Sequence, residues 1–355
     1  MDTMKKIRLN NKIIARDSPC YIIAEAGVNH DGSLEKAIQL VDAAADAGAD
    51  AVKFQSFSAE RLVMESAPKA EYQKAGAGAD ESQLKMLRKL ELSQADQASI
   101  AQHTRKRGIE FLSTPFDESW ADFLDTLGVC AFKIGSGELT NLRLLAHVAK
   151  KGKPVILSTG MASIEEIEEA VAVITATGLK ELILLQCTSA YPAAPETINL
   201  KAMATLRRHF GVWTGFSDHT TGIEVAIAAV AVGASVLEKH FTLDRKLPGP
   251  DHRMSIEPAK LTAMIRAIRN VEKAMGDGKK ARSANEQETA VVARRSLVAA
   301  RDMCAGEMFD SDAIAVQRPG TGITASKLNQ VLGRKAQKDI RKGQLLSMEM
   351  FEETV

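Results

Sequence analysis

Short apolar runs rich in β-branched and aromatic residues recur between residues 21 and 242, and longer segments with helical spacing separate them. The eight runs are YIIAEAGV (21–28), AVKFQSF (51–57), IEFLSTPF (109–116), AFKIGSG (131–137), PVILSTGM (154–161), ELILLQCTSAYP (181–192), WTGFSDHT (213–220) and VLEKHFT (236–242). Ser33 and Ser163 stand where helix N-caps belong, and Gly48 and Gly178 stand where helices should end. Because consecutive parallel strands need a crossover helix, this alternation predicts an α/β fold, a parallel (β/α)8 TIM barrel.

The chain changes character after residue 275. The stretch GDGKKARSANEQETA is polar and begins with glycine, which is typical of a linker. Beyond it, two similar phrases each place a glycine four residues after an aspartate, at Asp302 and Gly306 and again at Asp339 and Gly343. This duplication predicts a small β domain. We therefore expect a catalytic barrel over 1–276, a linker over 277–292 and a small β-rich domain over 293–355.

Composition narrows the function classes. The 355 residues carry a net charge of +1, so no electrostatic argument points to nucleic acid or to a membrane surface. The four cysteines form no CxxC pair, which argues against a structural zinc site or a disulfide framework and fits a reducing compartment. The basic N-terminal segment lacks an apolar core typical of a signal peptide. These features predict a cytoplasmic location.

Polar side chains gather at the expected carboxyl end of every predicted strand. In chain order they are Glu25, Lys53 with Gln55, Ser113 with Thr114, Lys133 with Ser136, Ser158 with Thr159, Ser189 with Tyr191, Ser217 with His219, and Glu238 with His240. In a parallel barrel these ends surround the active site. Two lysines among hydroxyl groups favour a phosphate site. A lysine that forms a Schiff base with a carbonyl substrate is the alternative, which the hydroxyl-rich surroundings disfavour.

The two strand-end histidines suggest a metal site. His219 and His240 are expected on adjacent strands at the same height, where they could share a divalent ion that keeps open positions for substrate. The alternative is a pair of hydrogen-bonded core histidines. His30 is expected to position a loop. The remaining histidines that we considered, His103, His147 and His209, fall on helical faces and are expected to be solvated or to pack.

Several motifs together resemble the sialic acid synthase family. They are IAEAGVNHDGS, AVKFQSF, FLSTPFD, FKIGSGE, ILSTGM, QCTSAYP, GFSDHTTG, EKHFTLD and PGPDH, and the C-terminal phrase QRPGTGI resembles that family's antifreeze-like (SAF, β-clip) domain. The resemblance implies a metal-dependent synthase that condenses phosphoenolpyruvate with an open-chain N-acetylated aminosugar and water. The products would be a nine-carbon α-keto acid and phosphate.

The resemblance also implies a role for individual residues. Catalytic roles fall to Glu25, Glu238, Lys53 and Lys133. Substrate contacts fall to Gln55, Thr114, Ser136, Ser158, Ser189, Tyr191, Ser217, Asp251 and Arg318. His219 and His240 would hold the metal, usually manganese, with magnesium or cobalt as other options. Arg318 would come from the small domain of one subunit of a homodimer and reach the partner's active site. Family members often carry Asn where Ser189 stands, so that contact would be shorter or water-bridged here.

The aminosugar itself is left open. N-acetylmannosamine, which would give N-acetylneuraminate, is our first expectation. The alternative is a 2,4-diacetamido-6-deoxy hexose, which would give legionaminic or, less favoured, pseudaminic acid. The loop phrase KAEYQKAGAGADESQ is expected to line the pocket around the sugar's C4 and C6. A different class of function, a carbohydrate-binding module with an inert barrel, is disfavoured by the intact row of strand-end residues.

Overall fold

The structure is a computed structural model that describes residues 4–69 and 81–352. The chain divides into two compact units, Met1–Gly276 and Asp277–Val355. In the described residues, no helix combines the length and the apolar character that crossing a membrane requires.

The first unit contains a two-stranded hairpin and a ring of eight parallel strands. The hairpin pairs β1 (Ile7–Leu9) with β2 (Lys12–Ile14) in antiparallel fashion. The ring strands are β3 (Tyr21–Gly27), β4 (Ala51–Ser56), β5 (Glu110–Pro115), β6 (Phe132–Ile134), β7 (Val155–Ser158), β8 (Leu182–Cys187), β9 (Trp213–Asp218) and β10 (Val236–His240). They are hydrogen-bonded in the order β5-β4-β3-β10-β9-β8-β7-β6, and β6 returns to lie beside β5. The predicted barrel is confirmed, and each strand falls within one of the eight apolar runs.

Among the described residues of the first unit, ten α-helices connect or follow these strands. They are α1 (Leu34–Ala47), α2 (Ala59–Leu62), α3 (Gln83–Leu90), α4 (Gln94–Arg107), α5 (Glu118–Leu127), α6 (Leu142–Ala149), α7 (Ile164–Ala176), α8 (Ala202–Phe210), α9 (Glu224–Ala231) and α10 (Pro258–Met275). The caps explain where α1 begins and ends. The Ser33 side chain accepts a hydrogen bond from the Lys36 amide, and Gly48 closes the helix in the left-handed conformation at φ 84°. Ser163 and Glu166 form a full capping box at the start of α7.

The barrel has an apolar floor that the N-terminal hairpin helps to close. Ile7, Leu9 and Ile14 from the hairpin pack in one buried cluster with Tyr21 and Ile23 from the start of β3. Side chains that alternate with these point outward and pack against the surrounding helices in a separate, larger cluster. Because the amino ends of the strands are filled in this way, the carboxyl ends remain as the open end of the barrel. The hairpin was not among the predicted elements.

The second unit begins inside the segment that we expected to be a linker. Helix α11 (Ala284–Ala293) starts with a capping box in which Ser283 and Glu286 bond each other's backbone amides. None of its residues is buried within the unit. Strands β11 (Ser296–Ala299) and β12 (Ile314–Gln317) pair antiparallel, and one further short helix, α12 (Leu328–Val331), follows.

The two repeated phrases of the second unit bond to each other reciprocally. The Asp302 carboxylate accepts a hydrogen bond from the Lys342 amide at 2.7 Å, and the Asp339 carboxylate accepts one from the Ala305 amide at 2.8 Å. The residues that follow each aspartate, Met303 and Ile340, exchange two backbone hydrogen bonds. The matching glycines have nearly equal positive φ angles of 83° and 82°. The pairing therefore has a local pseudo-twofold character, as expected for a duplicated phrase.

Candidate active site

A cavity of about 640 Å³ opens at the carboxyl ends of the barrel strands. Fourteen of the fifteen sequence-predicted site residues line it: Glu25, Lys53, Gln55, Thr114, Lys133, Ser136, Ser158, Ser189, Tyr191, Ser217, His219, Glu238, His240 and Asp251. Nine of them stand on the strands, where side chains two residues apart share a face, and the other five stand on the loops that follow.

The same alternation turns two other strand-end residues away from the cavity. Ser113 precedes Thr114 on β5, and its hydroxyl lies 2.6 Å from that of Ser56 on the neighbouring strand. The Thr159 hydroxyl donates to the Leu185 carbonyl at 2.9 Å. Neither residue lines the cavity. Grouping them with their neighbours at the barrel mouth was therefore wrong, and both serve hydrogen bonds in the wall.

Two lysines and two glutamates form a buried cluster in the cavity. Lys53 Nζ lies 2.6 Å from Glu25 Oε2 and 3.9 Å from Glu238 Oε2. Lys133 Nζ lies 3.5 Å from Glu238 Oε1. Glu238 thus stands between the two ammonium groups, and the Ser217 hydroxyl donates to the same carboxylate at 2.9 Å. The cluster is balanced in formal charge before any ligand binds.

Burial and neighbouring charges separate the pKa values of the two glutamates. Burial raises the pKa of Glu25 to about 7, even though the Lys53 ammonium opposes the rise. Burial also acts to raise the pKa of Glu238, but Lys133 and Lys53 outweigh it and the pKa is lowered. Glu238 is therefore held ionised, whereas Glu25 titrates close to neutral pH, where a group transfers protons most effectively.

The lysines differ in the same way. Burial acts to lower the pKa of Lys53, but the carboxylates of Glu25 and Glu238 outweigh it and the pKa is raised. For Lys133, burial prevails over the attraction of Glu238, and the pKa is lowered. Each ammonium also donates to a hydroxyl of the next strand, from Lys53 to Thr114 at 3.0 Å and from Lys133 to Ser158 at 2.8 Å.

A glycine lets two further hydroxyls approach the cavity from neighbouring loops. The Gly160 amide donates to the Ser136 hydroxyl at 2.9 Å. A Cβ atom at position 160 would lie 2.3 Å from Ser189 Oγ and 2.8 Å from Ser136 Oγ. Glycine is thus the residue that allows both hydroxyls this position.

The two predicted metal ligands lie side by side under an aromatic ring. The ring centroids of His219 and His240 are 5.3 Å apart, and the Tyr191 ring lies 4.2 Å from that of His219. His219 donates from Nδ1 to the Thr188 carbonyl at 2.7 Å, which leaves Nε2 as its ligand atom. Nδ1 of His240 is buried without a hydrogen-bond partner.

This donor set fits a cation held by two imidazoles. Within residues 4–69 and 81–352, no group of three or more His, Cys, Asp or Glu side chains is arranged to hold a metal ion. Burial lowers the pKa of His240 well below its usual range, so the ring is neutral and one of its two nitrogens can serve as a ligand. Burial also acts to lower the pKa of His219, but its hydrogen bonds to Cys187 and to the Thr188 carbonyl prevail and raise it. An ion would take its other ligands from water and substrate.

Comparison with known proteins identifies the family. Residues 40–280 match the NeuB family, and residues 294–352 match the SAF domain. This chain belongs to the NeuB family.

Full-length relatives of this NeuB-family chain carry more specific names. It is 48% identical to N,N'-diacetyllegionaminic acid synthase of Campylobacter jejuni, over 92% of this chain and 98% of that protein. It is 44% identical to the protein of the same name from Legionella pneumophila, over 94% of this chain and 95% of that one. Among solved structures, N-acetylneuraminic acid synthetase of Leptospira borgpetersenii superposes with a TM-score of 0.72 at 36% identity, over 81% of this chain and 96% of that one.

Two of the predictions stay predictions, namely the role of Arg318 and the part that the loop phrase takes in the sugar pocket. Arg318 belongs to the second unit of the NeuB-family chain, where its Nε donates to the Ala293 carbonyl at 3.0 Å. Most of the loop phrase KAEYQKAGAGADESQ falls on residues 70–80, outside the described residues.

Sequence reasoning missed a buried ion pair behind the cavity. Lys239 Nζ lies 2.8 Å from Asp218 Oδ2, and neither side chain is more than 1% exposed. Lys239 also bonds the Thr220 backbone. The signal was present in the sequence, because each of the two residues stands between two residues that line the cavity. The pair therefore ties β9 to β10 where both strands present their chemistry.

A buried histidine near the cavity was also missed. His252 directly follows Asp251, and its ring nitrogens lie 2.6 Å from Thr242 Oγ1 and 3.0 Å from Asp31 Oδ1. These contacts fix the loop that carries Asp251, whose pKa burial raises to about 6.

His30 is buried and accepts from the Gly32 amide, which fits the expected loop-positioning role. Each of the three helical-face histidines pairs with a carboxylate on another helix. The pairs are His103 with Asp42, His147 with Asp122, and His209 with Glu168.

Proposed function

We propose that this protein condenses phosphoenolpyruvate with an open-chain 2,4-diacetamido-6-deoxy hexose and water, giving N,N'-diacetyllegionaminic acid and phosphate. The two full-length relatives named for that product are 48% and 44% identical to this chain. The Leptospira protein named for N-acetylneuraminic acid is 36% identical. Relatedness thus favours the diacetamido sugar over N-acetylmannosamine, which the motifs alone had placed first.

The observation that carries the proposal is that two lysines and several hydroxyl side chains line one cavity. Phosphoenolpyruvate is a three-carbon molecule that carries a carboxylate and a phosphate. Its binding site therefore needs cations and hydrogen-bond donors along the length of the molecule. Lys53 and Lys133 supply the charge, and Thr114, Ser136 and Ser158 supply hydroxyl donors. Such an anion would share the two ammonium groups with Glu25 and Glu238.

The glutamates are suited to stabilising a positive charge and to accepting a proton during the reaction. A carbon–carbon bond forms between the methylene of phosphoenolpyruvate and the aldehyde carbon as the C=C and C=O π bonds open. The former aldehyde oxygen takes up a proton, and positive character develops at the carbon that carries the phosphate. The ionised Glu238 and the adjacent Glu25 stabilise that charge electrostatically. Water then adds to this carbon with loss of a proton, and the carbon–oxygen bond to phosphate breaks. Glu25, whose pKa is about 7, is the best-placed proton acceptor.

His219 and His240 would hold a divalent cation, with manganese proposed and magnesium or cobalt as alternatives. When bound, such a cation supplies Lewis-acid polarisation of the sugar aldehyde. The Thr188 carbonyl and the Tyr191 ring hold the His219 imidazole in position. Gln55, Tyr191 and Asp251 are the proposed contacts to the aminosugar.

We also propose a homodimer in which Arg318 of one subunit completes the partner's cavity. A guanidinium brought in from a second chain would close the site and restrict the approach of water. The motif QRPG and the compact second unit that carries it support this arrangement.

The deciding experiment measures phosphate release from phosphoenolpyruvate with each sugar, with and without a chelator. We expect kcat/KM for the diacetamido-6-deoxy hexose to exceed that for N-acetylmannosamine by about tenfold or more, and we expect chelation to abolish turnover until a divalent ion is restored. A preference for N-acetylmannosamine would contradict the substrate assignment. Full activity after removal of divalent ions would contradict the metal site, and trapping of a lysine adduct by borohydride would favour Schiff-base chemistry instead.

A further inference from the structure

One side of the active-site cavity is apolar. Leu62 and Val63, at the end of α2, line it together with Met86, Leu87 and Leu90 of α3. We call these five side chains the apolar wall. Met86, Leu87 and Leu90 belong to a buried apolar cluster that is separate from the main barrel core, and Leu62 and Val63 pack against this cluster.

The apolar wall follows from the local sequence. Helix α3 begins at its Ser82 N-cap, and its apolar residues at positions 84, 86, 87 and 90 recur at helical spacing and are all buried. None of the five wall side chains carries an N–H or O–H group or an oxygen atom, and Gln83 at the start of α3 is a polar residue that lines the cavity beside them. A sugar hydroxyl placed against them would lose its bonds to water without replacement, whereas a methyl group would gain by leaving water.

The position of the wall relative to the lysines determines which part of the sugar it can meet. The aldehyde carbon must meet the methylene of phosphoenolpyruvate, so C1 lies toward Lys53 and Lys133. Strand β4 carries Lys53, then Gln55 nearer its end, and the chain continues directly into α2 and the wall. An extended hexose with C1 at the lysines and its middle at Gln55 therefore directs C4 to C6 toward the apolar wall.

We propose that the apolar wall is the specificity determinant of the aminosugar, through contact with the C6 methyl and the C4 acetamido methyl. This inference rests on the proposed function and deepens it. It explains at the level of side chains why a 6-deoxy, 4-acetamido hexose would be preferred over N-acetylmannosamine, which has hydroxyls at both positions.

The test replaces Val63 by threonine, a change that adds a hydroxyl while keeping the branched shape, alone and together with Leu62→Gln. Both positions are only partly buried, which limits the effect on folding. Val232→Thr is the matched control, because Val232 is 56% exposed and does not line the cavity. For each protein, kcat/KM is measured with both sugars at saturating phosphoenolpyruvate, and KM for phosphoenolpyruvate is measured separately.

We expect the double variant to lower the ratio of kcat/KM for the diacetamido sugar to that for N-acetylmannosamine by about tenfold or more. KM for phosphoenolpyruvate and the control's ratio should stay as in the wild type. A wild type that prefers the diacetamido sugar and a double variant with an unchanged ratio would overturn the apolar wall and leave the proposed function standing. A wild type that uses only N-acetylmannosamine would overturn both.

Discussion

The buried ion pair between Lys239 and Asp218 should be energetically coupled, and disrupting it should affect both stability and catalysis. Its atoms are 2.8 Å apart, and both side chains are at most 1% exposed. The residues directly before and directly after each of them in the chain line the cavity. The perturbations are Lys239→Met, Asp218→Asn and the two combined. Asparagine retains the side-chain oxygen that accepts from the Thr220 amide.

The expected magnitude follows from burial. At 2.8 Å and an effective dielectric constant of about 20, the attraction between unit charges is about 6 kcal/mol, and the lost hydration of each ion offsets much of it. Lys239→Met leaves the Asp218 carboxylate buried without its cation, which should cost about 3–5 kcal/mol in the free energy of unfolding. The double variant has no stranded charge. It should therefore cost about 2–3 kcal/mol less than the sum of the single variants.

Denaturant unfolding followed by tryptophan fluorescence measures this coupling in the relevant unit. Trp120 and Trp213 are the two tryptophans of the chain, and both lie in the barrel, so the signal reports that unit. The exposed pair Arg143 and Glu118, treated in the same way, is the control and should show far weaker coupling. Additivity of the buried variants to within about 0.5 kcal/mol would refute the reasoning.

Three further predictions concern the site. Gly160→Ala should raise KM for phosphoenolpyruvate about tenfold, since the new methyl displaces the hydroxyls of Ser189 and Ser136, while the free energy of unfolding changes by only about 1 kcal/mol. The pKa of Glu25 is raised, so the native state keeps this proton longer than the unfolded state, and the contribution of Glu25 to stability is lost as pH rises from about 4.5 to about 7. Glu25→Gln should flatten the decline in unfolding free energy over that window. Arg318→Ala should lower kcat/KM for the aminosugar about tenfold, and mixing it with Lys53→Met subunits should restore activity if the arginine acts across a dimer.

Each of these has a distinct contrary result. Wild-type kinetics in Gly160→Ala would show that the two serine hydroxyls do not contact the anion. An unchanged pH profile of unfolding in Glu25→Gln would remove Glu25 as the group that titrates near neutrality. Wild-type kinetics in Arg318→Ala, or mixed subunits without recovered activity, would contradict a role for Arg318 across the interface.

The barrel and most of its cavity could be predicted from the sequence because two simple periodicities determine them. Alternation of apolar runs with helical segments gives the strand and helix order. The period of two along the strands brings nine predicted side chains to the cavity, and five more stand on the loops that follow the strands. The same rule, applied strictly, would have turned Ser113 and Thr159 away from it. Both were grouped with the mouth only because they stand next to cavity residues in the sequence.

The remaining features depend on contacts between distant segments. The hairpin that contains Leu9 closes the floor of the barrel through packing, and its short strands give little periodic signal. The partner of Lys239 is on another strand, and one of the two partners of His252, Asp31, lies 221 residues away in the chain. The helix Ala284–Ala293 lies in a stretch that composition alone marks as a linker, and only its capping box indicates a helix start.

The central claim is that the lysine-lined cavity joins phosphoenolpyruvate to a diacetamido aldose. The most direct measurement is mass spectrometry of the product formed by the purified protein, with a divalent ion present, alongside a count of phosphate released. We expect, for each phosphate released, one keto acid that has a nine-carbon backbone and retains both acetamido groups of the sugar. Phosphate released without this acid, or the acid formed at the wild-type rate when Lys53 and Lys133 are both changed to methionine, would contradict it.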